Sequence, residues 1–198
     1  MDTIKAQSII NDSFTESIEL KTNIVNNPSF LTIINNVSNV LINTFKNDGK
    51  VLFCGNGGSA ADAQHLAAEL SGKFYFDRKP LFAEALHVNT SYITAVANDY
   101  SFDEVYARLV EAKGRKNDVL IAISTSGNSS NIIKAITKAN EIGMHTIGIT
   151  GETGGNMKNI CSYLINVPSK NTPRIQEVHI LIGHIICEIV ESSLFANE

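Results

Sequence analysis

The stretch Val51–Leu70, VLFCGNGGSAADAQHLAAEL, decides the fold. Its compact apolar start reads as a strand, Gly55-Asn56-Gly57-Gly58 as a turn, and Ser59 onward as a helix. A helix that opens straight after a glycine turn offers free N–H groups and a positive dipole end to an anion. The glycines do not follow the dinucleotide-binding G-x-G-x-x-G spacing, and no Gly-Lys of a nucleotide phosphate loop follows them. Two readings stay open: a tight turn with Ser59 as helix cap, or a cradle for an anion. On the helix behind the turn, His65 and Glu69 are four residues apart and share a face, where they pair with each other or meet a ligand.

Outward from this unit, KVLFCG, PLFAEAL, DVLIAIST, HTIGIT and YLINVP read as five strands. Continuous apolar runs of this kind suit strands covered on both faces. Helical patterns alternate with them over 59–71, 90–97, 102–113 and 128–142, with a shorter helical turn near 154–160. The chain closes with a long apolar helix over 173–195. Alternating strands and helices imply α/β architecture with a five-stranded parallel sheet between helical layers. Before the first strand, 3–26 and 28–47 read as two helices separated by Asn27-Pro28. We read the 198 residues as a single domain, with 1–48 as a helical pair and 49–198 as the α/β core.

Composition excludes several classes. The chain is 43% hydrophobic and 18% charged, the balance of a folded protein rather than a disordered one. Sixteen basic and 20 acidic residues give a net charge of -4 with no basic run, which argues against nucleic-acid binding. Cys54, Cys161 and Cys187 form no C-x-x-C pair, and Cys54 and Cys187 read as buried thiols of a reducing compartment. The opening MDTIKAQSIINDSF lacks the apolar core of a signal peptide. No uninterrupted apolar run reaches the length of a membrane span. A cytoplasmic protein with no membrane partner is expected. The apolar faces of the N-terminal pair and the final helix exceed what one sheet covers, so association between copies is expected as well.

In open parallel sheets, ligands bind at the carboxyl ends of the strands. Three segments stand out there. The glycine turn is the first. The second, Ser124-Thr125-Ser126-Gly127-Asn128-Ser129, offers four hydroxyls and several backbone donors without a lysine. That suits a phosphate held by neutral donors, and it also suits an ordinary polar loop. The third, Asn98-Asp99, pairs an amide with a carboxylate, either as a sugar-hydroxyl site or as a helix end. Gln176 and His184 lie two turns apart on the final helix.

CGNGGS, DAQHLAAEL, AND, ISTSGNS and RIQEVHILIGH, in this order and spacing, resemble the sugar isomerase (SIS) domain family, and within it the phosphoheptose isomerases. The resemblance covers most of the chain and implies a flavodoxin-like three-layer α/β/α fold. It implies conversion of sedoheptulose 7-phosphate to glycero-manno-heptose 7-phosphate, an early step toward activated heptose for bacterial surface glycans. By the same resemblance, Glu69 is the base and His184 its partner. His65, Glu69, Gln176 and His184 would hold zinc. Asn56, Gly57, Gly58, Ser59, Glu69, Asn98, Asp99, Ser124, Thr125, Ser126, Ser129 and Gln176 would bind substrate. A homotetramer with sites near subunit boundaries is implied too, in which the His65–Glu69 helix could meet Gln176 and His184 of a neighbouring chain. His179 is read as structural. Some relatives carry an acid where this chain has Pro173, so any role of that acid is absent here or supplied by another group. Two rivals share the loops: a non-enzymatic relative that binds the replication initiator, and an isomerase of another sugar phosphate. The presence of both Glu69 and His184 favours an enzyme.

Overall fold

The computed structural model describes residues 3–196. Two helices come first, α1 (Thr3–Val25) and α2 (Pro28–Lys46). The core follows as β1 (Val51–Gly55), α3 (Gly58–Ser71), β2 (Ala83–Ala85), α4 (Thr90–Asp99), α5 (Val105–Lys113), β3 (Val119–Ile123), α6 (Ser130–Ile142), β4 (His145–Thr150), β5 (Tyr163–Asn166) and α7 (Thr172–Phe195). Short 3-10 turns over Phe102–Glu104 and Gly155–Asn159 complete it.

All strand pairs are parallel, in the order β2-β1-β3-β4-β5. This is the flavodoxin-like order, with the switch between β1 and β3. Side chains alternate across the sheet, so each strand feeds two cores. Phe53, Ile121, Ile123 and Ile149 face α2, α3 and α7. Leu52, Cys54, Leu120 and Ala122 face the helices on the other side, against Val110, Ile132 and Ile136.

Local chemistry sets the boundaries. Asn27 accepts a hydrogen bond from Phe30 N, and Pro28 opens α2, where its missing N–H costs nothing. Asp118 is buried; its carboxylate accepts from Lys50 N and Arg115 N and pairs with Lys50 Nζ at 2.6 Å. It ties the start of β1 to that of β3, which are register neighbours from Val51↔Val119 onward.

Several expectations change. The second strand spans three residues, because β2 is an edge strand that pairs only with Val51, Leu52 and Phe53. Of the two readings of Asn98-Asp99, the structure has the helix end: they form the last turn of α4. Asn98 Nδ2 donates to Asp99 Oδ1 at 3.0 Å, and neither bonds to the glycine turn or serine loop among the described residues. Ser59 is not the cap of α3: the helix starts at Gly58, and Gly57 occupies the cap position without a side-chain bond. Against the reading of apolar runs, α7 is long and apolar enough to cross a membrane by length and composition. Its Val178, Ile182, Ile186 and Val190 are instead buried in the core, alongside His179 and Glu191.

Glu191 fastens α7 to the segment after α3. Its carboxylate takes Arg78 Nε at 2.8 Å and the backbone N–H groups of Phe74, Tyr75 and Phe76. Burial pushes this carboxyl up, but the three backbone donors and the guanidinium outweigh it and hold it below its ordinary value. Arg78 also donates to the carbonyls of Glu69, Leu70 and Gly72, so the end of α3 that carries Glu69 is held against α7.

Candidate active site

Helices α3 and α7 approach so closely that a Cβ on Gly183 would lie 2.4 Å from Leu66 Cδ1. Only glycine permits that separation. The residues next to this contact are His65 and His184, and they meet: His184 Nε2 lies 3.2 Å from His65 Nε2. Glu69 Oε1 lies 3.0 Å from the same His65 nitrogen. One ligand atom from each of the three falls within 4.8 Å of the other two. Phe74 walls the cluster, its ring centroid 5.7 Å from that of His184. A single chain therefore assembles the set, where the resemblance had left room for a neighbouring chain to supply His184.

Two imidazole nitrogens and a carboxylate oxygen converging on one point compete for the same proton. His65 Nε2 cannot donate to both partners in line. A cation removes that conflict, since all three atoms carry lone pairs. Zinc bonds of about 2.0–2.1 Å at tetrahedral angles separate ligand atoms by about 3.4 Å, close to the spacings seen. The donor set, two histidines and a carboxylate, is also one that zinc takes. Glu69 Oε2 carries no protein hydrogen bond among the described residues.

Gln176, in the first turns of α7, reaches the glycine turn. A Cβ on Gly58 would lie 2.5 Å from Gln176 Nε2, so the amide occupies the space that any other residue at position 58 would fill. In the turn, Ser59 N and Ala60 N donate back to Asn56 O and Gly57 O. Tyr106 donates its phenol to Gly55 O from α5.

In the serine loop, Ser124 Oγ lies 3.2 Å from Ser129 Oγ and 3.5 Å from Ser126 Oγ. Ser129 precedes α6 but makes no cap bond with its side chain, so its hydroxyl is directed at Ser124. Three hydroxyls thus gather at a helix N-terminus, an anion-binding arrangement of neutral donors. Thr125 and Ser126 open onto a cavity of about 300 Å³ shared with Glu152, Ser169, Lys170 and Thr172. A larger cavity of about 660 Å³ lies at the opposite edge of the sheet, around Asn47, Lys50, Arg115 and Asp118. It holds none of the residues singled out above, and its Lys50 and Asp118 already neutralise each other.

Sequence reasoning missed four contributors. Lys170 lines the wall beside the serine loop, 3.6 Å from Glu152 Oε2, from a segment that reads only as a turn. Asn131 pairs with Asn56, and its place inside a helical run hides it. Asp62 lies one turn before His65; burial pushes its carboxyl up, and nearby His65 pulls it back. Arg78 holds Glu69 by its carbonyl. His179 is structural, as expected: it is buried, donates to Thr150 O at 3.1 Å, and burial lowers its pKa to about 4.

The parallel order, a loop of clustered hydroxyls at the strand ends and a His–Glu–His cluster between α3 and α7 are the features of a SIS domain. The SIS domain family model matches residues 22–151. The phosphoheptose isomerase of Clostridium acetobutylicum is 50% identical over 192 residues, covering 97% of this chain and 98% of that protein. A phosphoheptose isomerase structure from Neisseria gonorrhoeae superposes with a TM-score of 0.89 at 43% identity, over 94% of this chain and 99% of that one. One from Francisella tularensis gives 0.90 at 38% identity, over 94% and 98%. The chain belongs to the phosphoheptose isomerase family.

Proposed function

We propose that the protein isomerises sedoheptulose 7-phosphate to glycero-manno-heptose 7-phosphate with Glu69 and His184 as its acid–base pair. The observation that carries this is the convergence of His65, Glu69 and His184 in one chain that also carries a loop of clustered hydroxyls suited to phosphate. Ketose–aldose exchange removes a proton from C1, passes through an enediol, and returns a proton to C2. A proton also moves from O1 to O2. Glu69 works at the carbons and His184 at the oxygens, a division that suits carboxylate and imidazole.

Ser124, Thr125, Ser126 and Ser129 take the phosphate, with Ser59 assisting. Asn56, Gly57, Gly58 and Gln176 take the sugar, with Asn98 and Asp99 as further hydroxyl partners. His65, Glu69 and His184 hold zinc, with Gln176, earlier on α7, as the weakest ligand. Zinc held there would supply Lewis-acid polarisation of the substrate oxygens. Glu69 contributes one oxygen to the cluster and keeps the other for proton transfer. Pro173 has no proton to give, so the acid that some relatives carry there has no counterpart at this position.

The protein works as a homotetramer in the cytoplasm. Support comes from α1, whose Ile9, Ile10, Phe14 and Ile18 remain exposed, Phe14 at 69%. Such a stripe is a liability unless another copy covers it. Incubation with sedoheptulose 7-phosphate, and separately with a six-carbon ketose phosphate, tests the substrate. NMR should show aldose only from the seven-carbon ketose; preference for the shorter one would redirect the reading to another sugar phosphate.

A further inference from the structure

Asn56 Nδ2 donates to Asn131 Oδ1 at 2.9 Å, and Asn131 Nδ2 donates to Asn56 Oδ1 at 2.9 Å. Asn56 belongs to the glycine turn. Asn131 is the second residue of α6, directly after the serine loop. It is 3% exposed. Asparagine is a poor helix former, and Ser129 already holds the cap position, so the helix itself gives no reason for this residue. A buried amide is costly unless its donor and acceptor are both met. Here each amide meets the other along one edge, with one N–H and one oxygen apiece. The outer N–H and the second lone pair of Asn56 stay free for a ligand.

The pair has a mechanical consequence. The glycine turn is held from α5 by Tyr106 on Gly55 O, and from α6 by Asn131 on Asn56. The turn cannot rotate its amide, or drift from the serine loop, without breaking both bonds of the pair. A phosphorylated sugar must be gripped by both loops at once, while a bare phosphate needs only the serines.

We infer that Asn131 is a positioning residue that fixes the Asn56 amide and the spacing between the sugar-binding turn and the phosphate loop. It touches neither the reacting atoms nor the phosphate. The inference rests on the proposed assignment of the two loops to the two ends of a ketose phosphate.

Asn131→Leu keeps nearly the size of the side chain, brings no charge to the phosphate loop, and leaves the Asn56 amide without its partner. Asn131→Ala removes both bonds. Dissociation constants for inorganic phosphate and for sedoheptulose 7-phosphate, measured by NMR titration or calorimetry on the parent and both variants, separate the roles. Phosphate affinity should stay within about twofold, and ketose phosphate affinity should fall by about tenfold, the scale of one lost hydrogen bond. Equal losses for both ligands, or no loss for the ketose phosphate in folded Asn131→Leu, would overturn the inference. The leucine variant decides if the alanine variant does not fold. Turnover plays no part in either arm. A parent protein that bound the ketose phosphate without converting it would fail the proposed function, while the binding ratios still decided the amide pair.

Discussion

His65 and His184, 119 positions apart in the chain, bring their Nε2 atoms within 3.2 Å across the Leu66–Gly183 contact. That contact is a close approach of α3 to α7, and the proposed chemistry sits beside it. Widening the gap should therefore disturb the cluster before it disturbs the sheet. A Cβ at position 183 would clash with three Leu66 side-chain atoms. We expect Gly183→Ala to cost about 1–3 kcal/mol. For a chain of this size that is a melting-temperature loss of about 2–4 °C per kcal/mol. If the proposed zinc site is right, Gly183→Ala should also weaken zinc binding, and pairing it with Leu66→Ala should return part of that affinity. Calorimetry and chelator competition check both.

Removing either member of the acid–base pair should cost about 100- to 10,000-fold in kcat, as general acid–base groups commonly do. His184→Gln and Glu69→Gln are the variants. Because one chain assembles His65, Glu69 and His184, mixed oligomers of the two inactive variants should regain no activity. Recovered turnover in the mixture would show sites built from two chains.

Ser124→Ala with Ser126→Ala should raise KM for the sugar phosphate strongly and change kcat less, because in the proposed function these hydroxyls bind an end of the substrate that does not react. Steady-state kinetics check this. Unchanged affinity would place the phosphate away from these hydroxyls.

Acid should destabilise the fold through His179. Its folded pKa, near 4, lies below the ordinary value of 6.5, so the unfolded chain binds the proton first as pH falls. Stability from this group is complete above about pH 6.5 and is lost down to about pH 4, on the order of 2–3 kcal/mol in total. Glu191, with its lowered pKa, also loses stability toward acid, as pH falls below the ordinary carboxylate range. His179→Gln retains an Nε2–H donor for Thr150 O and should flatten the slope between pH 6.5 and 4. Denaturant titrations across that range measure it.

Much of this was legible in the sequence, for physical reasons. The β4 strand, HTIGIT, and the β1–turn–α3 unit announce themselves because buried parallel strands are uninterrupted apolar runs. His65 and Glu69 are legible because helical spacing places them on one face. Their meeting with His184 is not, since it depends on a glycine 118 positions after His65 that reads as an ordinary residue of a long helix. Asn98-Asp99 leaves a hydroxyl site and a helix end both open in the sequence, because an amide beside a carboxylate suits either; the structure has the helix end. Asn131 and Arg78 stay hidden because their partners, Asn56 and Glu191, are remote in sequence. Local pattern carries no trace of such pairs.

The central claim, that Glu69 and His184 isomerise a seven-carbon ketose phosphate, is tested most directly by comparing parent and Glu69→Gln proteins on sedoheptulose 7-phosphate. Formation of the aldose 7-phosphate should be rapid with the parent and at least about 100-fold slower with the variant, at equal fold and zinc content. No aldose from the parent, or near-equal rates from the two, would contradict the account.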